Sequence, residues 1–306
     1  MRIGSVEIPN RFVLAPLAGI SCTAFRMLCK ENGAGLIYTQ MIDADIISGK
    51  KQDEVKKFLN IQDMEHPVNV QLIGGEKKTL IRAVQAIQEV ADIIDLNVGC
   101  IEEDYLQKGC GAALLKDLPK LEDILRSMVQ ATRKPVTAKI RIGWDNQHIN
   151  GVAVAQLVQQ AGAAAICVHG RTADQGYAGR VNWTIMKQIK EKVQIPVIAN
   201  GDVTSYVTGN ELQQKTGCDF VMIGRAAQHC PWVFHQGTFD IKQQILRFIE
   251  LYEHYEQRQS AVEVADHVFW MLRDFPTRQD TKNVHLITTI PRIIRYVNRL
   301  ETEEQI

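Results

Sequence analysis

Lys139 and Arg141 stand on either side of Ile140 in an otherwise apolar run, 136–141. Cations placed this way are costly to bury unless they meet a partner or a ligand. The pair therefore points to a site that handles negative charge. Other short apolar runs end in similar signatures. Pro16-Leu17-Ala18-Gly19 closes the first and Thr39-Gln40-Met41 the second, while Gln71 lies at the end of the third. Asp95-Leu96-Asn97 runs into Val98-Gly99-Cys100, and His169-Gly170-Arg171 closes a later run. The last two runs end in Asn200-Gly201-Asp202 and Gly224-Arg225. Gly201 and Gly224 would let the backbone approach a phosphate, with neighbouring amides donating to it. Arg225 adds a guanidinium suited to bidentate contact.

These signatures need a scaffold that brings them to one place. The apolar runs are 12–17, 36–40, 68–72, 93–97, 136–141, 165–169, 197–200 and 220–223. Most lack polar alternation, as parallel strands buried on both faces do. Helical patterns at 77–90, 121–132, 152–161, 185–193 and 205–216 separate the later runs, and Gly33, Gly162 and Gly217 stand where C-terminal caps are expected. Eight strands alternating with helices over about 230 residues predict a (β/α)8 TIM barrel. A doubly wound sheet is the alternative, but no G-x-G-x-x-G follows the first strand. The long link after 36–40 is expected to hold a short helix and a strand-like piece near 58–61. After about residue 237 the strand signal stops and three amphipathic helices follow, the last with Pro291 near its start. The expected division is a barrel at 1–237 and an all-helical domain at 238–306.

In such a barrel the chemistry sits at the C-terminal strand ends, with a phosphate corner after strands seven and eight. Lys139 would lie beneath the mouth, where a fixed cation could stabilise negative charge on a reduced flavin ring. Gln71 and Asn97 offer polar atoms to ring edges, and small Ala15 and Ala18 leave room for a flat ring. At this level a nucleotide, a sugar phosphate and flavin mononucleotide all fit.

Composition narrows the class. The 306 residues carry 35 Lys plus Arg against 35 Asp plus Glu, with 45% hydrophobic and 23% charged residues. That balance excludes a disordered chain and a broadly basic nucleic-acid coat, but it leaves room for a local basic patch. No apolar run approaches the ~20 residues of a membrane span, and the N-terminus lacks a signal-peptide core. Seven scattered cysteines suit neither a disulfide framework nor a zinc site, so the expectation is a cytoplasmic protein with reduced thiols and no metal. His148, His254 and His267 are expected on the surface or on helix faces.

Several segments occur in a fixed order: PNRFVLAPLAGISCTAFRMLCKENGAGLIYTQM, DLNVGC, GCGAALL, VTAKIRIGWD, VHGRTADQGYAGRVNW, PVIANGDV and GCDFVMIGRAAQHCPWVF. In order and spacing they resemble the tRNA-dihydrouridine synthases, over about residues 9–234; HGRT-x-x-Q-x-Y-x-G with Trp183 is the most specific. The resemblance implies a flavoprotein barrel whose helical domain helps hold tRNA. It implies that Pro16, Leu17 and Ala18 line the flavin (FMN) and that Gln71, Lys139 and His169 touch its ring. It assigns Asn200, Gly201, Asp202, Gly224 and Arg225 to the ribityl and phosphate end. Asn97 and Arg141 match groups near the target uracil, Arg171, Gln175 and Tyr177 a loop motif beside it, and Cys100 the catalytic cysteine. NADPH or NADH would reduce the flavin, hydride would pass from its N5 to C6 of the uracil, and Cys100 would protonate C5.

The chain also departs from the family pattern. Ile101 replaces the usual proline after the cysteine, Glu102, Glu103 and Asp104 follow where a basic residue is common, and Gln40 stands where many members have glutamate. Two alternatives go with these departures: a flavin barrel that reduces a free pyrimidine or other activated alkene, and a flavin- or RNA-binding paralogue without turnover. For tRNA, Arg26, Lys139, Arg141, Arg171, Arg273, Arg278, Arg292 and Arg295 are expected to make one face positive.

Overall fold

The eight expected strands form one parallel sheet that closes on itself. In the computed structural model, which describes residues 1–273 and 281–300, the strands are β1 (Phe12–Leu14), β2 (Ile37–Tyr38), β3 (Val68–Ile73) and β4 (Ile93–Val98). They continue as β5 (Val136–Arg141), β6 (Ala165–His169), β7 (Val197–Asn200) and β8 (Phe220–Ile223). Hydrogen bonding runs β1-β8-β7-β6-β5-β4-β3-β2. The ring closes where Val13 bridges Leu36 and the Leu14 amide donates to the Leu36 carbonyl at 2.9 Å.

Side chains alternate between two cores, as strand geometry requires. In β8, Phe220 and Met222 point into the barrel while Val221 and Ile223 face the surrounding helices. The interior also takes Ile3, from the short antiparallel hairpin Arg2–Ile3/Val6–Glu7, and Ile8 just after it.

The link after β2 differs from expectation. Residues 58–61 form no strand: Val55 and Leu59, four apart, are the buried residues of a helix Gln52–Leu59, and left-handed Asn60 ends it. The extra strand is instead Ile42–Asp43, which pairs with Leu72 and Ile73 at the end of β3.

The described C-terminal elements are helical: Ile241–Tyr255, Ala261–Leu272 and Ile290–Asn298, with a 3-10 turn at Thr281–Leu286. Pro291 occupies the first turn of the last helix, where its missing N–H costs nothing. Helix Ile241–Tyr255 packs on the barrel helix Thr23–Glu31, and their apolar faces belong to one continuous core.

Two expectations about side chains are corrected here. His267 is 3% exposed. It stacks on Phe248 with centroids 4.7 Å apart, and its ring nitrogens lie 2.9 Å from the Glu263 carbonyl and 3.0 Å from the Ile20 carbonyl. It therefore ties the loop after β1 to the helical part. Arg26 lies on no surface: it is 4% exposed and bonds Glu65 at 2.5 and 3.1 Å and the Ser21 carbonyl at 2.7 Å. Glu65 is fully buried, and a carboxylate so placed requires a cation. Arg278 lies outside the described residues.

Candidate active site

Cys100 follows β4 on a loop pinned by its own sequence. The Asn97 side-chain oxygen accepts from the amides of Gly99 and Cys100 at 2.9 and 2.8 Å. From the other side, the Ala112 amide donates to the Cys100 carbonyl at 2.8 Å. Gly111 makes that approach possible: its φ is +57°, and a Cβ there would lie 2.6 Å from the Cys100 carbonyl oxygen. Cys110 is buried in the turn. Cys100 is half-buried, and burial lifts its thiol above the ordinary value. Glu102 adds to that rise, whereas Arg141 and the Glu102 and Ile101 amides oppose it. The thiol is thus held protonated near neutrality, as a proton donor must be.

The acidic run beside it faces water. Glu102, Glu103 and Asp104 are all exposed and open a short helix, Glu103–Gln107, whose first turn favours acids. Ile101 is partly buried and its side chain nears Gly176 of the loop after β6.

Below the cysteine lies a polar stack inside the barrel. Asn97 donates to the Gln71 side-chain oxygen at 2.8 Å, and Gln71 donates to Asp95 at 2.8 Å. Thr137 donates to the other Asp95 oxygen at 2.5 Å. Gln71 and Asp95 are both fully buried. The sequence marks Asp95 only as part of the strand-end signature and gives it no role, although Asp95 and Asn97 alternate along one strand as Lys139 and Arg141 do.

Lys139 neighbours Asn97 across the β4–β5 register. It makes no hydrogen bond or ion pair among the described residues, and burial pushes its pKa down. Arg141 is spent differently: it donates to the carbonyls of Gly99, Thr172 and Gly176 at 2.9, 2.9 and 2.7 Å. It thereby ties the cysteine loop to the loop after β6. His169 at the end of β6 is held neutral, its pKa pushed down to about 2 by burial and by Lys139, Arg141, Arg171 and Arg225.

The corner after β7 and β8 gathers Asn200, Gly201, Asp202, Gly224 and Arg225. Asn200 braces the two strands by donating to the Met222 carbonyl at 3.1 Å. Asp202 accepts from Arg171 at 2.9 and 2.6 Å and from Arg225 at 2.8 Å. Gly201 has φ +132°, and a Cβ there would meet Val181 at 2.8 Å. The amides of Gly201, Asp202, Gly224 and Arg225 find no protein acceptor among the described residues. Free amides beside an exposed guanidinium fit a phosphate.

The loop after β6 is shaped from beneath. Arg171 is 3% exposed and also donates to the Ala178 and Gly179 carbonyls, and Gln175 accepts from the Thr172 amide at 2.9 Å. Both residues brace the loop. Tyr177 is 63% exposed, with the Arg141 and Arg225 guanidiniums 5.7 and 5.3 Å from its ring. On the opposite side, the loop after β1 carries Pro16, Leu17 and Ala18. It is held by Ser21 accepting from the Leu17 amide at 3.1 Å and by Gln40 accepting from Gly19 at 3.1 Å. Among the described residues no group of three His, Cys, Asp or Glu could hold a metal, and no helix is long and apolar enough to cross a membrane.

A closed parallel barrel with its polar groups gathered at the C-terminal mouth defines a barrel enzyme. Among solved structures it resembles histamine dehydrogenase from Rhizobium sp. 4-9, with a TM-score of 0.62 over 88% of this chain and 50% of that one. Identity is 12%, so that likeness concerns the fold alone. A family model described as dihydrouridine synthase (Dus) matches residues 13–286. The tRNA-dihydrouridine synthase B of Pseudomonas aeruginosa is 40% identical over 237 residues, 77% of this chain and 71% of the relative. That of Xanthomonas axonopodis pv. citri is 36% identical over 99% of this chain and 92% of the relative. A probable tRNA-dihydrouridine synthase of Rickettsia conorii is 36% identical over 77% of this chain. The chain belongs to the dihydrouridine synthase family and is an oxidoreductase.

Proposed function

We propose that this protein reduces the C5=C6 bond of a uridine in tRNA to dihydrouridine, in the cytoplasm, with flavin mononucleotide over the barrel mouth and NADPH or NADH as reductant. The observation that carries this reading is the half-buried Cys100 pinned to Asn97 on the loop after β4, with Lys139 paired to Asn97 on the next strand. The flavin, when bound, supplies the hydride for C6. Lys139 fits a ring that gains negative charge, and the free amides after β7 and β8 with Arg225 fit its phosphate. Pro16, Leu17, Ala18 and neutral His169 would line the ring. Gln71, with its amide engaged on both sides, supports Asn97 from below.

Cys100 donates its proton to C5 of the uracil, and the thiolate left behind regains a proton from water between turnovers. Positioned proton transfer of this kind contributes about 10²–10⁴-fold. Asn97 and Arg141 hold the cysteine loop, and Tyr177 offers an exposed ring to an extruded base. Extrusion costs a few kcal/mol in a duplex and less in a tRNA loop. The helical part, 238–306, whose helix Ile241–Tyr255 packs on the barrel, would help hold tRNA.

NADPH consumption by the flavin-loaded protein, with unmodified tRNA compared with free uridine, tests the substrate class. Turnover is expected with tRNA alone. Equal rates on free uridine would favour a small-molecule reductase, and a protein that stays colourless after flavin is added would sink the whole reading.

A further inference from the structure

We propose that Asp95 is a positioning residue for Cys100, acting through Gln71 and Asn97. The inference rests on the reading of Cys100 as proton donor. Four groups form a chain with a fixed direction. At one end the Gly99 and Cys100 amides can only donate, so the Asn97 oxygen must face them. The Asn97 nitrogen then faces the Gln71 oxygen, and the Gln71 nitrogen faces outward from that pair. At the other end a carboxylate can only accept, and Asp95 receives that nitrogen at 2.8 Å. Both amide orientations therefore follow from the two ends. Without an acceptor at position 95, the fully buried Gln71 amide would be left with an unmet donor. Turning it over would place its nitrogen against the Asn97 nitrogen, two donors facing one another. The Gln71 amide is then no longer fixed, and each time it turns over Asn97 loses its acceptor and its hold on the Cys100 loop loosens.

Thr137 fixes the second Asp95 oxygen from β5, so the carboxylate itself cannot rotate away. The strand register explains why it can reach: Gln71 pairs with Asp95, Asp95 with Thr137, and Asn97 with Lys139. The result is a layer of inward-facing polar residues directly beneath the mouth.

The test is the rate of Cys100 alkylation by iodoacetamide in the full-length protein, followed on the Cys100 peptide by mass spectrometry. Asp95→Leu removes the acceptor, and Gln71→Met cuts the chain one step nearer the cysteine. Each should speed alkylation about tenfold, the scale of an unmet buried donor. Their combination should add nothing further, because both break one chain. Asp95→Asn keeps an acceptor oxygen and should stay within about twofold of the parent. Equal effects of Asp95→Leu and Asp95→Asn, or additive effects in the double variant, would overturn the proposal. Should Asp95→Leu fail to fold, Gln71→Met decides: a rate within about twofold of the parent overturns the proposal and a tenfold rise supports it. This readout needs no flavin, reductant or tRNA, so its failure is distinguishable from failure of the functional reading.

Discussion

At the residue scale, the site is built from charges whose partners decide what they can do. Lys139 and Arg141 share one strand and one sign, yet Arg141 is engaged by three carbonyls and Lys139 by none among the described residues. Sequence spacing showed that both are inward-facing cations. It could not show which was satisfied, because all three acceptors are backbone atoms of loops more than 30 residues away along the chain. The role of Asp95 was illegible for a related reason: an acid near a strand end looks ordinary until Gln71 and Thr137 converge on it. Its burial has a measurable consequence. Burial raises the Asp95 carboxyl to about 6, against roughly 3.9 in an unfolded chain. The folded state thus holds this proton more tightly. The resulting stabilisation is fully present below about pH 3.9 and is lost as pH rises through about 6, a change of about 3 kcal/mol. The unfolding free energy of the parent minus that of Asp95→Asn should therefore fall by that amount between about pH 4 and 7. A flat difference would show that the carboxyl is not desolvated.

At the element scale, the strands were the most legible part of the sequence and the link after β2 the least. Long apolar runs such as Val136–Arg141 and Ala165–His169 stand at the expected positions. The 58–61 segment misled because Phe58 and Leu59 look like strand residues, whereas Phe58 is 46% exposed and Val55 with Leu59 gives the segment a helical face. Arg26 misled too, as a basic residue in a helix that proves to be buried against Glu65. Removing it with Arg26→Met leaves Glu65 buried without its cation, which should cost about 3–5 kcal/mol. Denaturant unfolding checks this. tRNA affinity, measured where the variant is folded, should be unchanged, because Arg26 touches no surface.

At the scale of the whole molecule, zero net charge demands that any tRNA contact be local. The last described helix offers such a patch, since Arg292 and Arg295 are exposed on it while Ile293 and Val297 are buried. Arg141 and Arg171 drop out of the expected positive face because both are buried and satisfied within the fold. Replacing Arg292 and Arg295 together by Ala should weaken tRNA binding. It should also lower the slope of log affinity against log salt by about 1.5 to 2. An unchanged slope would move the RNA footprint elsewhere.

The central claim is that Cys100 completes uridine reduction in tRNA. Its most direct test is the dihydrouridine content of unmodified tRNA after incubation with the flavin-loaded protein and NADPH, comparing the parent with Cys100→Ala. The parent should form dihydrouridine and the variant should be slower by about 10²–10⁴-fold. Product formation by Cys100→Ala at the parental rate, or none by the parent, would contradict it.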